Sequence, residues 1–561
     1  MLRRVLLAIG ATLIVVAVVL AVSGGFRTTV GGFRISAQSP LAATLGALIA
    51  GAAWFMQARR DRAIAADLEA GWRAIERHAS RLIGVVGLIA AIVAATFATR
   101  SAAGADASGY LSQAALWSDG AWLVANPLAD ILNRSDTWLT TPLGWRPAGS
   151  SYQVPTYPPG LPLLMAIPHA VAGIQGANAI VIASSAIAVW ATGMLARGVA
   201  GIIAAILIAF SPVFLYQSFQ PMSDVPVTAA WITCLLLATH DRRSLWAGAA
   251  CAVAILIRPN LAPLAIVPLF VAKKRFTFAF PVMMACAFVA FMQWLWYGSP
   301  LQSGYGSADE LFGLANVGPN ARRYFNWLIA AAPVMLLAPL GFMRVGNARH
   351  SRALGVFASL VVAAYLIYGV FDHWSYLRFL LPALAVFAIF AAIELITWIE
   401  RWPVSWRLPI FLGLMLGITA HQLFVARALD TFKLADQLRR VEQVAEVINR
   451  QATPEAVILS GEQSGSMRYY TGLPILRWEA ATPDALSRAV ATLETANRPV
   501  YVVLDAWENE PFLTKFKNLT EVSLDWPAMV EAGTSHRTRL WRVEDRARFL
   551  SGENLPTVRL P

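Results

Sequence analysis

Residues 104–160 read GADASGYLSQAALWSDGAWLVANPLADILNRSDTWLTTPLGWRPAGSSYQVPTYPPG. Long apolar runs flank this stretch on both sides, yet it carries Asp106, Tyr110, Asp119, Asp130 and Asp136. Pro127, Pro142, Pro147 and Pro155 interrupt it before Tyr157-Pro158-Pro159-Gly160. Connections between elements usually run about 4–6 residues, and much longer ones are uncommon unless they carry function. The stretch is therefore expected to cover an active site, with Asp106 as the reactive carboxylate.

The surroundings of that loop are those of a membrane protein. Of 561 residues, 57% are hydrophobic and only 14% charged, and the mean hydropathy is +0.56. Soluble domains seldom reach such values. The net charge of +12 collects in short loops between apolar runs. That distribution follows the positive-inside rule and speaks against a nucleic-acid partner, which calls for a basic stripe on one soluble face. Cys234, Cys251 and Cys286 lie inside apolar runs and suggest neither a disulfide framework nor a zinc site. The seven histidines are scattered without ligand spacing, so no metal site and no cofactor is expected.

Taken in order, residues 1–60 form a transmembrane helix pair. The first run, to Ser23, has a layout shared by signal peptides and first spans, so retention or cleavage stays open. The link GGFRTTVGGFRIS repeats Gly-Gly-Phe-Arg and reads as a hairpin on the outer surface. Residues 61–81 are a cytoplasmic basic connector with Ile64, Leu68, Trp72 and Ile75 on one helical face. Residues 82–428 are the transmembrane module with the outer loop at 99–160, and 429–561 alternate helix and strand as a small periplasmic α/β domain. Counting apolar runs gives about 13 transmembrane helices, with the N-terminus cytoplasmic. This parity holds only if residues 158–173, rich in proline, dip into the outer leaflet without crossing. Irregular backbone at that depth is tolerated against protein or a watery cavity.

Parity also gathers polar clusters at one membrane surface: Asp106–Tyr110, Tyr157–Gly160, Ser223–Asp224, Arg258–Asn260, and the segment holding His373, Tyr376 and Arg378. Ionisable groups beside spans are expensive and usually face a cavity with partners. Arginine offers bidentate charge to a phosphate, and a nearby carboxylate can take a proton from an incoming hydroxyl. Such a set suits sugar transfer from a lipid-linked phosphosugar. In the C-terminal domain, Gly461-Glu462-Gln463-Ser464-Gly465 follows a strand but lacks the spacing of a dinucleotide loop. Two glycosylation triplets, at Asn133 and Asn518, are assigned no role.

Asp106-x-x-x-Tyr110, Tyr157-Pro158-Pro159-Gly160, Gln220-Pro221-Met222-Ser223-Asp224-Val225-Pro226 and Arg378-Phe379-Leu380-Leu381-Pro382 resemble the glycosyltransferase C superfamily. Within it the chain is most similar to bacterial protein O-mannosyltransferases and lipid A aminoarabinose transferases, over about residues 82–400. The resemblance implies inverting transfer from a polyprenyl-phosphate sugar donor to a glycan, lipid or protein acceptor, in the bacterial inner membrane and at its periplasmic face. It further implies Asp106 as catalytic base and Asp224 as a second catalytic carboxylate that positions substrate. Arg258 and Arg378 would hold the donor phosphate, with Tyr110, Tyr157, Asn260, His373 and Tyr376 as further binding residues. The chain departs from the pattern at Tyr157, where aminoarabinose transferases place lysine, and at Ala105 and Ala107, where mannosyltransferases set an acidic residue beside the aspartate. Two other function classes fit the composition: a transporter or flippase of a lipid-linked intermediate, and a membrane scaffold presenting the C-terminal domain. The first predicts repeated halves, which the sequence does not show; the second leaves the clustered charges without a purpose.

Overall fold

The computed structural model describes residues 2–23, 26–30, 33–37, 39–132 and 136–561. The Asn133 triplet and the glycine pairs of the Gly-Gly-Phe-Arg repeat lie outside the described residues. The strands on either side of the second pair, Phe26–Val30 and Phe33–Ala37, pair antiparallel. They join the helices Leu2–Ser23 and Leu41–Arg60, which pack on each other.

The basic connector does not form a separate element. Ile64–Phe97 is one helix of 34 residues, roughly 50 Å at ~1.5 Å per residue, because no proline interrupts it. A bilayer core needs only ~30 Å, so its basic first part extends beyond the apolar part. Trp72 is buried and meets the ring of Phe411 edge-on at 6.0 Å, which seats this face on the helix Val404–Ala428. Arg3 reaches the buried carboxylate of Asp67 at 3.0 Å, tying the N-terminal pair to the same helix.

Six helices among the described residues are long and apolar enough to cross a membrane, or up to eight if each bent pair is one span. Several of the apolar runs read from sequence turn out shorter or bent. The run at 199–215 is divided into Gly198–Ala209 and Pro212–Ser218, bent by 64°, where Pro212 has no N–H to continue the ladder. The run at 325–343 is bent by 114° between Leu314–Ala331 and Pro333–Val345. The helix Gly160–Ala196 breaks at Ala172 and Gly173 (φ 56°). Beyond the break the chain presses back on its first half, so that a Cβ on Gly176 would stand 1.8 Å from the Pro168 carbonyl oxygen.

The centre of the bundle is Leu381–Ile399, which packs on Gly198–Ala209 and Ala338–Val345. Gly341 allows the last approach: its Cβ would meet the Phe390 carbonyl oxygen at 1.8 Å. Arg378 lies in the 3-10 turn Trp374–Leu380 that feeds this central helix.

The C-terminal domain carries a six-stranded sheet in the order 558–560, 530–532, 538–542, 500–505, 457–460, 475–477. The last three strands of that order are parallel, and Thr538–Arg542 runs antiparallel to Val500–Asp505. Alternation decides the layers: Val500, Val502 and Leu504 pack with Leu486 and Val490, whereas Tyr501 and Val503 pack with Val441 and Ile448. Helices Pro483–Thr495 and Leu434–Gln451 thus cover opposite faces.

Candidate active site

Asp106 stands in the first turn of the helix Ala105–Ser118. Its Oδ1 accepts a hydrogen bond from the Tyr157 hydroxyl at 2.9 Å, and its Oδ2 accepts one from Arg378 Nη2 at 2.7 Å. Tyr157 comes this close because Gly109, one turn after Asp106, has no side chain; a Cβ there would lie 2.0 Å from the Tyr157 ring. Tyr110 and Tyr305 flank the Tyr157 ring at 4.5 and 5.7 Å.

Behind this group lies a buried ion pair. Asp224 opens the helix Asp224–Ala238 and is fully buried. It accepts from Arg258, the residue at which the helix Ser244–Ile257 stops before Pro259. Arg258 also donates to Ser223 Oγ at 3.2 Å and to the Tyr365 hydroxyl at 3.3 Å; Asn260 donates to the same hydroxyl at 3.3 Å. Arg378 Nη1 sits 3.9 Å from Asp224 Oδ2, so this guanidinium lies between both carboxylates. The rings of Tyr376 and Phe379 flank it at 5.0 and 5.3 Å. Buried Arg378 Nε and Asp224 Oδ2 have no hydrogen-bond partner among the described residues.

These groups open on a cavity of about 590 Å³. Asp106, Tyr110, Tyr157, Arg258, Asn260, Tyr376 and Arg378 line it. Asp224 is placed behind its wall and acts on it only through the arginines. His373 is placed elsewhere: it is exposed, bonded to Ser375 Oγ at 2.8 Å, and does not line the cavity. Partial desolvation by its neighbours, then the charge of Arg378, lowers the affinity of His373 for a proton. Burial, then the Asp106 charge, pushes Tyr110 up to about 12 and raises Tyr157 as well. Both phenols therefore stay protonated donors near neutrality.

Sequence reasoning missed Tyr305, Tyr365 and Tyr368, which also line the cavity. Tyr365 ends an apolar run and carries no local mark; Tyr305 sits in the loop after Arg275–Tyr297 with nothing to set it apart. Val289, Met292 and Trp296 add an apolar part to the lining. Two carboxylates facing two guanidiniums leave the site near neutral, and an entering phosphate must compete for the arginines. Among the described residues no group of three or more His, Cys, Asp or Glu is placed to hold a metal ion.

No family model matches the chain, and no curated protein matches it by sequence. Its fold is similar to that of ArnT from Cupriavidus metallidurans bound to undecaprenyl phosphate, with a TM-score of 0.53, 12% identity, and coverage of 82% of this chain and 97% of that one. ArnT from the same organism in the apo state aligns with a TM-score of 0.49 at 14% identity, over 82% of this chain and 97% of that one. The oligosaccharyltransferase of Archaeoglobus fulgidus, tethered with an acceptor peptide, aligns with a TM-score of 0.48 at 14% identity, over 76% and 69%. The first of these shows a shared fold alone, and it agrees with the fold expected from the motifs.

Proposed function

We propose that the protein is a membrane glycosyltransferase that moves a sugar from a polyprenyl-phosphate donor to a hydroxyl acceptor, with inversion, using Asp106 as general base. The observation that carries this reading is the joint placement of Asp106, Arg258 and Arg378 on one cavity of about 590 Å³ whose lining also includes the apolar Val289, Met292 and Trp296. The fold shared with a protein bound to undecaprenyl phosphate supports it.

In this reading the isoprenoid chain lies along Val289, Met292 and Trp296, and the phosphate meets the two guanidiniums. Arg378 is held by Asp106 at rest. A donor phosphate draws Arg378 away, which frees the carboxylate when a donor is present and only then. The acceptor hydroxyl then gives its proton to Asp106 as its oxygen attacks the anomeric carbon. The bond from that carbon to the phosphate oxygen breaks, and its electron pair leaves with the polyprenyl phosphate, where the arginines stabilise the charge. Attack opposite the leaving group inverts the anomeric centre. Tyr157 steadies Asp106, and Asp224 keeps Arg258 in place.

In this proposal the site lies at the periplasmic face of a bacterial inner membrane, with the C-terminal domain on that side and the N-terminus in the cytoplasm. The proposed count of about 13 crossings takes in short apolar helices such as Asp224–Ala238 and Ser244–Ile257. Whether a hexose or a pentose moves follows from donor trials. Purified protein is incubated with labelled hexosyl and pentosyl polyprenyl phosphates, with and without a chelator. The expected result is a product of inverted configuration at a rate the chelator leaves unchanged. No transfer from any donor, with labelled lipid crossing vesicles instead, overturns the reading in favour of transport.

A further inference from the structure

The helix that carries Asp106 is capped by another domain. It starts at Gly104 (φ 79°), and no side chain of its own supplies a cap. The first N–H groups of a helix have no partner within it and need acceptors from elsewhere. Gln463 Oε1 accepts the Gly104 N–H at 3.1 Å, and Glu462 lies against the same helix start, its Oε1 3.8 Å from where a Cβ on Gly104 would stand. Both come from the Gly461–Gly465 turn, which lacks the spacing of a nucleotide loop.

That turn is fixed at both ends. The Glu462 N–H donates to Glu508 Oε1 at 3.0 Å, and Gln463 Nε2 donates to buried Asp505 at 2.8 Å. Ser464 Oγ accepts the Leu143 N–H at 3.0 Å, and the Tyr470 hydroxyl accepts the Ala102 N–H at 2.6 Å. Gly465 is pressed on the outer loop so closely that a Cβ would meet the Leu143 carbonyl oxygen at 2.5 Å and Ser108 Oγ at 2.6 Å. Glu462 therefore holds a set position against the start of the Asp106 helix.

Its side chain faces charges from both domains. Glu479 and Glu508 approach from its own domain, with Arg477 and Lys515 acting on Glu479; Asp106, Tyr157 and Tyr376 approach from the membrane module. We infer that Glu462 is a positioning residue of this site, supplied by the C-terminal domain and acting through Asp106. Ionised, it sets a negative charge at the N-terminus of the helix and strengthens Asp106 as a base; protonated, it sets no charge there. Burial first, then Glu479, Glu508 and Asp106, pushes Glu462 up to about 8, with the Ala105 N–H opposing. The exchange between the two forms thus falls just above neutrality, and the rate rises with pH through that point.

This inference rests on the transferase reading, and two measurements separate their failures. In the first, kcat/KM for sugar transfer is followed from pH 6 to 9.5 in wild type and Glu462→Gln, which keeps the shape of the side chain and removes its charge. Wild type is expected to rise through about pH 8, whereas Glu462→Gln stays flat and falls about tenfold below wild type at pH 9, the size of a one-unit change in base strength. Parallel profiles for the two proteins overturn the inference while leaving transfer intact. The second needs no turnover: infrared titration of the protonated carboxyl band in full-length protein. A band that is lost near pH 8, is missing in Glu462→Gln and titrates lower in Asp106→Asn supports the coupling. A band that titrates near 4.5, or ignores Asp106→Asn, overturns it whether or not any donor is turned over.

Discussion

Replacing Gly109 with alanine is expected to disable the site without touching a charge. The added Cβ would stand 2.0 Å from Tyr157 Cε2, 2.6 Å from Cδ2 and 3.1 Å from Gly144 Cα. Non-bonded carbons sit at about 3.5 Å or more, so the ring must retreat by roughly 1.5 Å. It has little room, since Tyr157 is only 3% exposed and lies between Tyr110 and Tyr305. The retreat breaks the 2.9 Å bond to Asp106. Overpacking of this kind costs about 1–3 kcal/mol, against about 1 kcal/mol gained by alanine over glycine within a helix. The net loss is expected at about 1 kcal/mol in stability. A misplacement of about 1 Å at a reacting group costs on the order of a hundredfold in rate. Thermal unfolding in detergent and initial transfer rates check both. Tyr157→Phe serves as the control that removes the hydroxyl alone, and Gly109→Ala with Tyr157→Ala is expected to regain stability but not rate. A Gly109→Ala protein with wild-type rate and melting temperature refutes the reasoning.

Two other outcomes follow from the charges. Arg258→Met leaves Asp224 buried without its main partner and is expected to destabilise by about 3–5 kcal/mol; Asp224→Leu with Arg258→Met restores melting but not transfer. Equal melting of wild type and Arg258→Met contradicts the pairing. Glu462, raised from an ordinary value near 4.5 to about 8, keeps in the folded state a proton that the unfolded chain has already lost between those limits. Stability therefore falls as pH rises through that window. Glu462→Gln is expected to melt above wild type at pH 9 and level with it at pH 4, in scans across pH; a constant offset rules this out.

The parts of the site that the sequence disclosed are charges in an apolar background. Asp106, Asp224, Arg258 and Arg378 stand out because burying them beside spans is costly without partners, and the structure sets all four within reach of one another. The helices Leu434–Gln451 and Pro483–Thr495 and the strand Val500–Asp505 show their period over enough residues to be read. Strands such as Ile475–Arg477 and Val530–Ala532 are only three residues long, too short for alternation to register. The bends after Phe210 and at Ala332 depend on local backbone that hydropathy does not sense. Glu462 escaped notice for a different reason: the helix start it lies against, at Gly104, is more than 350 residues away, and only the docking of two domains makes that carboxylate part of the site.

The most direct test is transfer of labelled sugar from a polyprenyl-phosphate donor by purified wild type and Asp106→Asn, with donor binding measured alongside. A rate that drops about a hundredfold or more, as for a lost general base, while donor binding is retained, is the predicted result. Equal rates in the two proteins contradict the account and transfer the chemistry to another carboxylate.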